Sequence, residues 1–155
     1  MYIPMAKGFV YLTAVVDWAS RKVLAEKVPI TLETCHAVEV LHEAFTRHGK
    51  PEIVNTDQGS QFTAQEFVQA VKDRACHFSM DGRGALRDNV FVERLWKSVK
   101  YERVFVHAYD SVSEARHSII QCMNWHNQSR PHSSLGKQTP DEAYIVMLPT
   151  GKLAA

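Results

Sequence analysis

The chain has 155 residues, a formal net charge of +1, and a composition that is 45% apolar and 23% charged. These figures describe one ordinary globular domain and exclude a whole-molecule basic attraction for nucleic acid, so any such attraction must be local. The longest apolar run, Phe9 to Val16, is far short of a membrane span and follows no charged leader. Cys35, Cys76 and Cys122 form no CxxC pair, so a cytoplasmic protein with reduced thiols is expected.

Tyr2-Ile3 and Phe9 to Val16 flank the turn-like Met5-Ala6-Lys7-Gly8 and predict a hairpin, with Arg21 to Val28 as a third strand after a turn at Asp17 to Ser20. Thr31 to His48 predicts a helix capped by Thr31, with Ala37, Val38, Leu41, Ala44 and Phe45 as its apolar stripe and Gly49 as its stop. A short strand at Glu52 to Asn55, a helix at Ala64 to Asp73 and a second short strand at Ala75 to Ser79 follow. Asp81 to Gly84 is a glycine-containing loop. Asp88 or Asn89 then caps a helix running to about Arg103. Ser111, with Glu114 in the capping-box position, opens a helix that buries Val112, Ala115, Ile119, Cys122 and Met123. Extended segments surround a short helix near Glu142. This order describes an α/β fold.

Two acidic residues stand out. Asp57 follows the apolar Ile53-Val54 and precedes the turn residues Gln58-Gly59-Ser60, so it emerges at a strand terminus, where open α/β sheets commonly place active-site groups. The plainer role for such an Asp is to cap the turn that follows it. Glu93 lies on a predicted helix whose one face carries Asn89, Glu93, Lys97 and Lys100, while Val92, Leu95 and Val99 form a separate apolar stripe. The plainer role for Glu93 is a solvated pair with Lys97. Clustered carboxylates suit two Mg²⁺ ions about 4 Å apart, the arrangement phosphoryl transfer on DNA requires.

Local charge points the same way. From Arg83 to Arg103 the basic residues Arg83, Arg87, Arg94, Lys97, Lys100 and Arg103 outnumber the acids Asp88, Glu93 and Glu102. Lys97 and Lys100 are placed to hold phosphates as point charges. Trp96, between the faces, reads as core. Cys122, His126 and His132 are too loosely spaced to predict zinc, and no GxxxxGK[ST] loop supports nucleotide hydrolysis.

The phrases Asn55-Thr56-Asp57-Gln58-Gly59-Ser60-Gln61-Phe62 and Asp88-Asn89-Val90-Phe91-Val92-Glu93, with 35 residues between the two acids, resemble the second and third acids of the DDE transposase and retroviral-type integrase core. Val16-Asp17-Trp18, Ser79-Met80-Asp81, Lys97 to Glu102, Arg130-Pro131-His132 and Thr139-Pro140 extend the likeness to bacterial insertion-sequence transposases over about Tyr2 to Tyr144. The resemblance implies a ribonuclease H-like fold: a mixed sheet of about five strands flanked by helices, with its first strand truncated. It implies a catalytic core at 1–148, incomplete at its N-terminus, and a short tail at 149–155. Asp57 and Glu93 are then the catalytic, metal-binding acids for Mg²⁺ or Mn²⁺. Lys97, Lys100, Arg94, Arg83 and Arg130 are the DNA-contacting residues, with Lys100 near the reacting phosphate. The implied partners are DNA and either further copies of the chain or full-length transposase.

The family's first acid belongs to an Asp-Ile-Thr-Tyr-Ile phrase, which falls two residues before Met1. Arg87 stands where an apolar residue usually precedes Asp88-Asn89, and the N-terminal DNA-binding region of such transposases is absent. A hairpin turning at Ala6-Lys7 would set the missing acid opposite Ala14. Asp17, about 10 Å further along and on the other face, is expected to serve the turn with Ser20 and Arg21 instead. The expected function is Mg²⁺-dependent DNA cleavage and strand transfer, reduced about a thousandfold or more in the chain as it stands. A remnant that binds DNA or interferes with transposase without catalysis is the alternative. A nuclease acting on RNA–DNA hybrids is a third reading, which the Arg130-Pro131-His132 tail opposes.

Overall fold

The computed structural model describes residues 1–80 and 90–148. β1 (Tyr2–Pro4) and β2 (Phe9–Tyr11) form an antiparallel hairpin that pairs Tyr2 with Tyr11 and Ile3 with Val10. Gly8 closes the hairpin at a φ of +80, a left-handed value that favours glycine, and its carbonyl accepts from Met5 N–H at 3.0 Å. Beyond Leu12 the same stretch continues as β3 (Thr13–Val16), which changes partner and pairs antiparallel with β4 (Val23–Lys27). Asp17 builds the turn between them. Its Oδ2 accepts from the Ser20 amide (2.9 Å) and hydroxyl (2.5 Å), and its carbonyl accepts from Arg21 N–H (2.8 Å), the turn role expected of it.

α1 (Thr34–His48) starts three residues later than expected. Thr31 does not cap it, because the Thr31 hydroxyl bonds His36 Nε2 at 3.2 Å and Glu33 takes the cap position. Val40 joins Ala37, Leu41, Ala44 and Phe45 in the buried stripe, while Val38 is only half-buried. β5 (Ile53–Thr56) pairs in parallel with β6 (His77–Met80), and α2 (Ser60–Thr63) and α3 (Gln65–Asp73) make the crossover. Ala75, at a φ of +56, spends the start of the expected second strand on a turn, which delays β6.

α4 (Val90–Val99) passes into a π-helical turn at Lys100–Val104, where Phe105 N–H donates to the Lys100 carbonyl at 2.8 Å. The sequence pattern had one continuous α-helix here. The expected loop at Asp81 to Gly84 and the caps Asp88 and Asn89 lie outside the described residues. α5 (Val112–Gln128) is capped by Ser111, whose Oγ accepts from Glu114 N–H at 3.1 Å. The Glu114 carboxylate reaches the Asp110 amide rather than that of Ser111. α6 (Pro140–Met147) carries a full capping box of Thr139 and Glu142. Among the described residues no helix is long and apolar enough to cross a membrane.

The fold is α/β, as expected, but its hydrogen-bonded ladder is not continuous. Among the described residues the strands divide into β1–β2, β3–β4 and β5–β6. β1 ends at Met1, whose ammonium donates to the Leu12 carbonyl and whose carbonyl accepts from Leu12 N–H, each at 2.8 Å. Among the described residues no strand pairing joins β3 to β5. The core is divided as well. Ile3, Val10, Leu12, Leu95, Val99, Ile119 and Met123 belong to one cluster, and Leu41, Phe45, Phe67 and Val71 to another. A cavity of about 450 Å³ separates the two, lined by β3 and β5 along its sides.

α5 is fastened to β4 by side chains rather than by apolar contact alone. Asn127 imitates a neighbouring strand: its Oδ1 accepts from Val23 N–H and its Nδ2 donates to the Val23 carbonyl, both at 2.9 Å. His126 Nε2 donates to the carbonyl of Arg21, a residue at a φ of +64. Asn127→Ala leaves both backbone groups of buried Val23 unpaired, so a loss of about 2–3 kcal/mol is expected in urea unfolding. Burial, assisted by Arg130, holds the His126 imidazole below its ordinary pKa, with the Arg21 carbonyl opposing. The unfolded chain therefore takes up that proton first as the pH falls. Stability is full above about pH 6.5 and declines as the pH drops from there through the folded value. Urea midpoints at pH 7 and pH 5 should show that decline, and His126→Gln should make it shallower without abolishing it, because burial lowers His48 and His132 too.

Candidate active site

Asp57 leaves the carboxyl end of β5 and is exposed. Its Oδ1 accepts from Gly59 N–H at 2.7 Å, so the turn-capping role is real and fixes one carboxylate oxygen. Gly59 leaves the Asp57 and Gln61 side-chain ends the space they occupy. A Cβ at this position would lie 2.9 Å from Asp57 Oδ1 and 2.9 Å from Gln61 Oε1. The Met1 ammonium is close enough to feel both Asp57 and Lys100. Burial pushes it below the usual amino-terminal range, Asp57 opposes that shift, and Lys100 adds to it. The structure thus brings Asp57, Lys100 and the start of β1 into one neighbourhood.

α4 is positioned from its two ends. In its first turn Phe91 lies beneath the Arg21 guanidinium, 3.3 Å from ring centroid to Cζ, which ties the helix start to the β3–β4 turn. Leu95 and Val99 are buried and Val92 is half-buried, as the apolar stripe predicts. Trp96 is half-buried against the first core cluster and, with Val92, lines the cavity that Asp57 also lines. Glu93, adjacent to Val92, is exposed, as are Arg94 and Lys97. The i,i+4 ion pair between Glu93 and Lys97 does not form, and neither Lys97 nor Lys100 has a salt bridge among the described residues. Lys100 is half-buried and begins the π-helical turn.

Arg130 is placed differently from the lysines. Its guanidinium pairs with Glu102 at 2.9 Å and lies 5.5 Å from the Trp125 ring, so its charge is already shared within the fold. Arg83 lies outside the described residues. Among the described residues no three His, Cys, Asp or Glu side chains form a ligand cluster. Asp57 and Glu93 are the two acids that the sequence singles out as cation ligands. Both are exposed hard-oxygen donors, one oriented by Gly59 and the other without a protein partner among the described residues. Sequence reasoning missed Gly59 as the residue that makes room for the Asp57 carboxylate. It also missed Arg21 and Phe91 as the pair that anchors α4, since their contact spans elements far apart in the chain.

Two family models described as "Integrase core domain" match the chain, one over residues 1–85 and the other over 74–140. The transposase for insertion sequence element IS904 of Lactococcus lactis is 28% identical over 144 residues, spanning 91% of this chain and 57% of that protein. The transposase InsF for insertion sequence IS3A of Escherichia coli is 28% identical over 146 residues, spanning 91% of this chain and 50% of that one. The chain therefore spans about half the length of these curated relatives. Among solved structures, the catalytic core domain of HTLV-2 integrase in complex with magnesium, in a dimeric form, aligns with a TM-score of 0.62 at 20% identity, covering 93% of this chain and 90% of that one. The simian T-cell lymphotropic virus intasome in complex with a PP2A regulatory subunit aligns with a TM-score of 0.75 at 17% identity, covering 96% of this chain and 52% of that one. The first of the two family models spans more than half of the chain, and the chain belongs to the integrase core domain family.

Proposed function

We propose that residues 1–148 are the catalytic core of a DNA transposition and integration enzyme that cleaves DNA and transfers strands with Mg²⁺ or Mn²⁺. The observation that carries this reading is the presentation of Asp57 at the carboxyl end of β5, beside the cavity against which α4 sets Val92 and Trp96 on either side of Glu93. Asp57 and Glu93 would hold the cations, and the Gly59 amide would keep the Asp57 carboxylate turned toward them. When bound, such cations supply Lewis-acid charge to the attacking and leaving oxygens of a phosphodiester. Lys97 and Lys100, free of salt bridges among the described residues, would hold the DNA backbone along the same helix. The dimeric and trimeric forms of the HTLV-2 core support self-association as the assembly mode, with DNA as the substrate.

These residues supply two of the three acids that the family resemblance implies. In a polypeptide extended upstream through the family's first acid, Asp57→Asn or Glu93→Gln should each lower Mg²⁺-dependent strand transfer on short duplexes about a thousandfold, or about 4 kcal/mol. Strand transfer by the extended polypeptide that survives both substitutions would remove the assignment.

The unpaired lysines favour one further reading, DNA binding without turnover. Log affinity for duplex DNA should then fall linearly with log salt, and Lys97→Ala with Lys100→Ala should reduce that slope by roughly 2. A slope unchanged by the double substitution would show that these lysines do not touch phosphate.

A further inference from the structure

We propose that Tyr101 and Phe105, in the π-helical turn that ends α4, form a stacking platform for unpaired nucleotides of a single DNA strand that runs along the helix past Lys97. Tyr101 is 67% exposed and Phe105 62%, and their rings meet edge to face with centroids 5.3 Å apart. The neighbouring Val99 and Val104 are buried, so the fold takes its core from other side chains of this stretch and turns the two rings into solvent together. Val106, the next residue after Phe105, is exposed as well. Contiguous apolar surface of this kind marks a place where something else binds.

The charge around the rings decides what that is. From Arg94 to Val106 the basic residues Arg94, Lys97, Lys100 and Arg103 accompany a single acid, Glu102, and Glu102 is taken by Arg130 at 2.9 Å. None of the four basic residues has a salt bridge among the described residues. Uncompensated positive charge of this kind selects a polyanion. A second copy meeting this face about a twofold axis would bring like charges together. A duplex offers phosphates to the basic residues but keeps its bases stacked on one another, which leaves the rings without a partner. An unpaired strand supplies both, phosphates for Arg94 and Lys97 and base faces for Tyr101 and Phe105. Glu93, Lys97 and Tyr101 follow one another at i,i+4 intervals, so Tyr101 stands about 12 Å along the helix from Glu93. Nucleotides spaced at about 3.4 Å cover that length in three or four steps, which locates the unpaired bases relative to the reacting phosphate. That location rests on the reading of Glu93 as a cation ligand in a DNA-acting core, whereas the platform itself is tested without metal.

The test measures binding of the 155-residue chain to a short labelled thymidine oligonucleotide by fluorescence anisotropy, without divalent metal and over a range of salt. Saturable binding is expected, at least about tenfold tighter than to an abasic strand of the same length. Tyr101→Leu and Phe105→Leu, at exposed sites where substitution leaves the core intact, should each weaken binding of the thymidine strand about tenfold. Neither should change the salt slope, because neither ring neutralises a phosphate, whereas Lys97→Ala should lower it. The proposal is overturned if the abasic strand binds as tightly, or if both leucine variants bind as the unsubstituted chain does. It is also overturned if the thymidine strand fails to bind up to about 1 mM while duplex DNA binds, an outcome that leaves the catalytic reading standing. A dimer of the chain that the leucine variants dissociate would overturn it too, since a second copy would then cover the rings.

Discussion

The pairing of each strand with a single neighbour among the described residues shapes the rest of this structure. A strand has two edges, and each residue offers its backbone groups to only one of them. Among the described residues β1 pairs with β2, β3 with β4 and β5 with β6, and no ladder joins these pairs. The apolar residues of α4 and α5 gather beneath the hairpins, while α1 sets Val40 and Ala44 against Ala25 of β4 and its Leu41 and Phe45 against Phe67 and Val71 of α3.

The candidate site has a mixture of firm and open features. Asp57 is held by its own turn and by the space that Gly59 leaves for it. α4 is held by Arg21 stacking on Phe91 and by Leu95 and Val99 in the core. Neither support requires the two acids to touch, and both leave carboxylate oxygens directed outward. Arg21 links the two ends of this arrangement. Its left-handed backbone is restrained by Asp17 on one side and His126 on the other, while its side chain covers the start of α4. Such restraint is what keeps a non-glycine residue in a costly conformation.

Asn127 shows how a single side chain can replace a strand. Its amide presents one acceptor and one donor with the spacing of a backbone unit, and Val23 accepts it as such. That contact, together with the His126–Arg21 bond, brings α5 against β4 and closes the larger core over Ile119 and Met123. The π-helical turn at Lys100 has a comparable local consequence. It sets Lys100 at the junction of two helical geometries, near Met1 and Asp57, rather than on an unbroken α-helical face.

Apolar periodicity, cap residues and turn chemistry in the sequence determined the element order, the stripes on α1, α4 and α5, the turn role of Asp17, and the emergence of Asp57 at a strand end, because each depends on residues a few positions apart. Tertiary structure alone decided the rest. Thr31 lost its capping role to a bond with His36, Glu93 and Lys97 did not pair with each other, and Arg130 gave its charge to Glu102. The sheet divided in three because strand partnership depends on which edges meet across the fold, a long-range competition for backbone hydrogen bonds that local patterning does not encode.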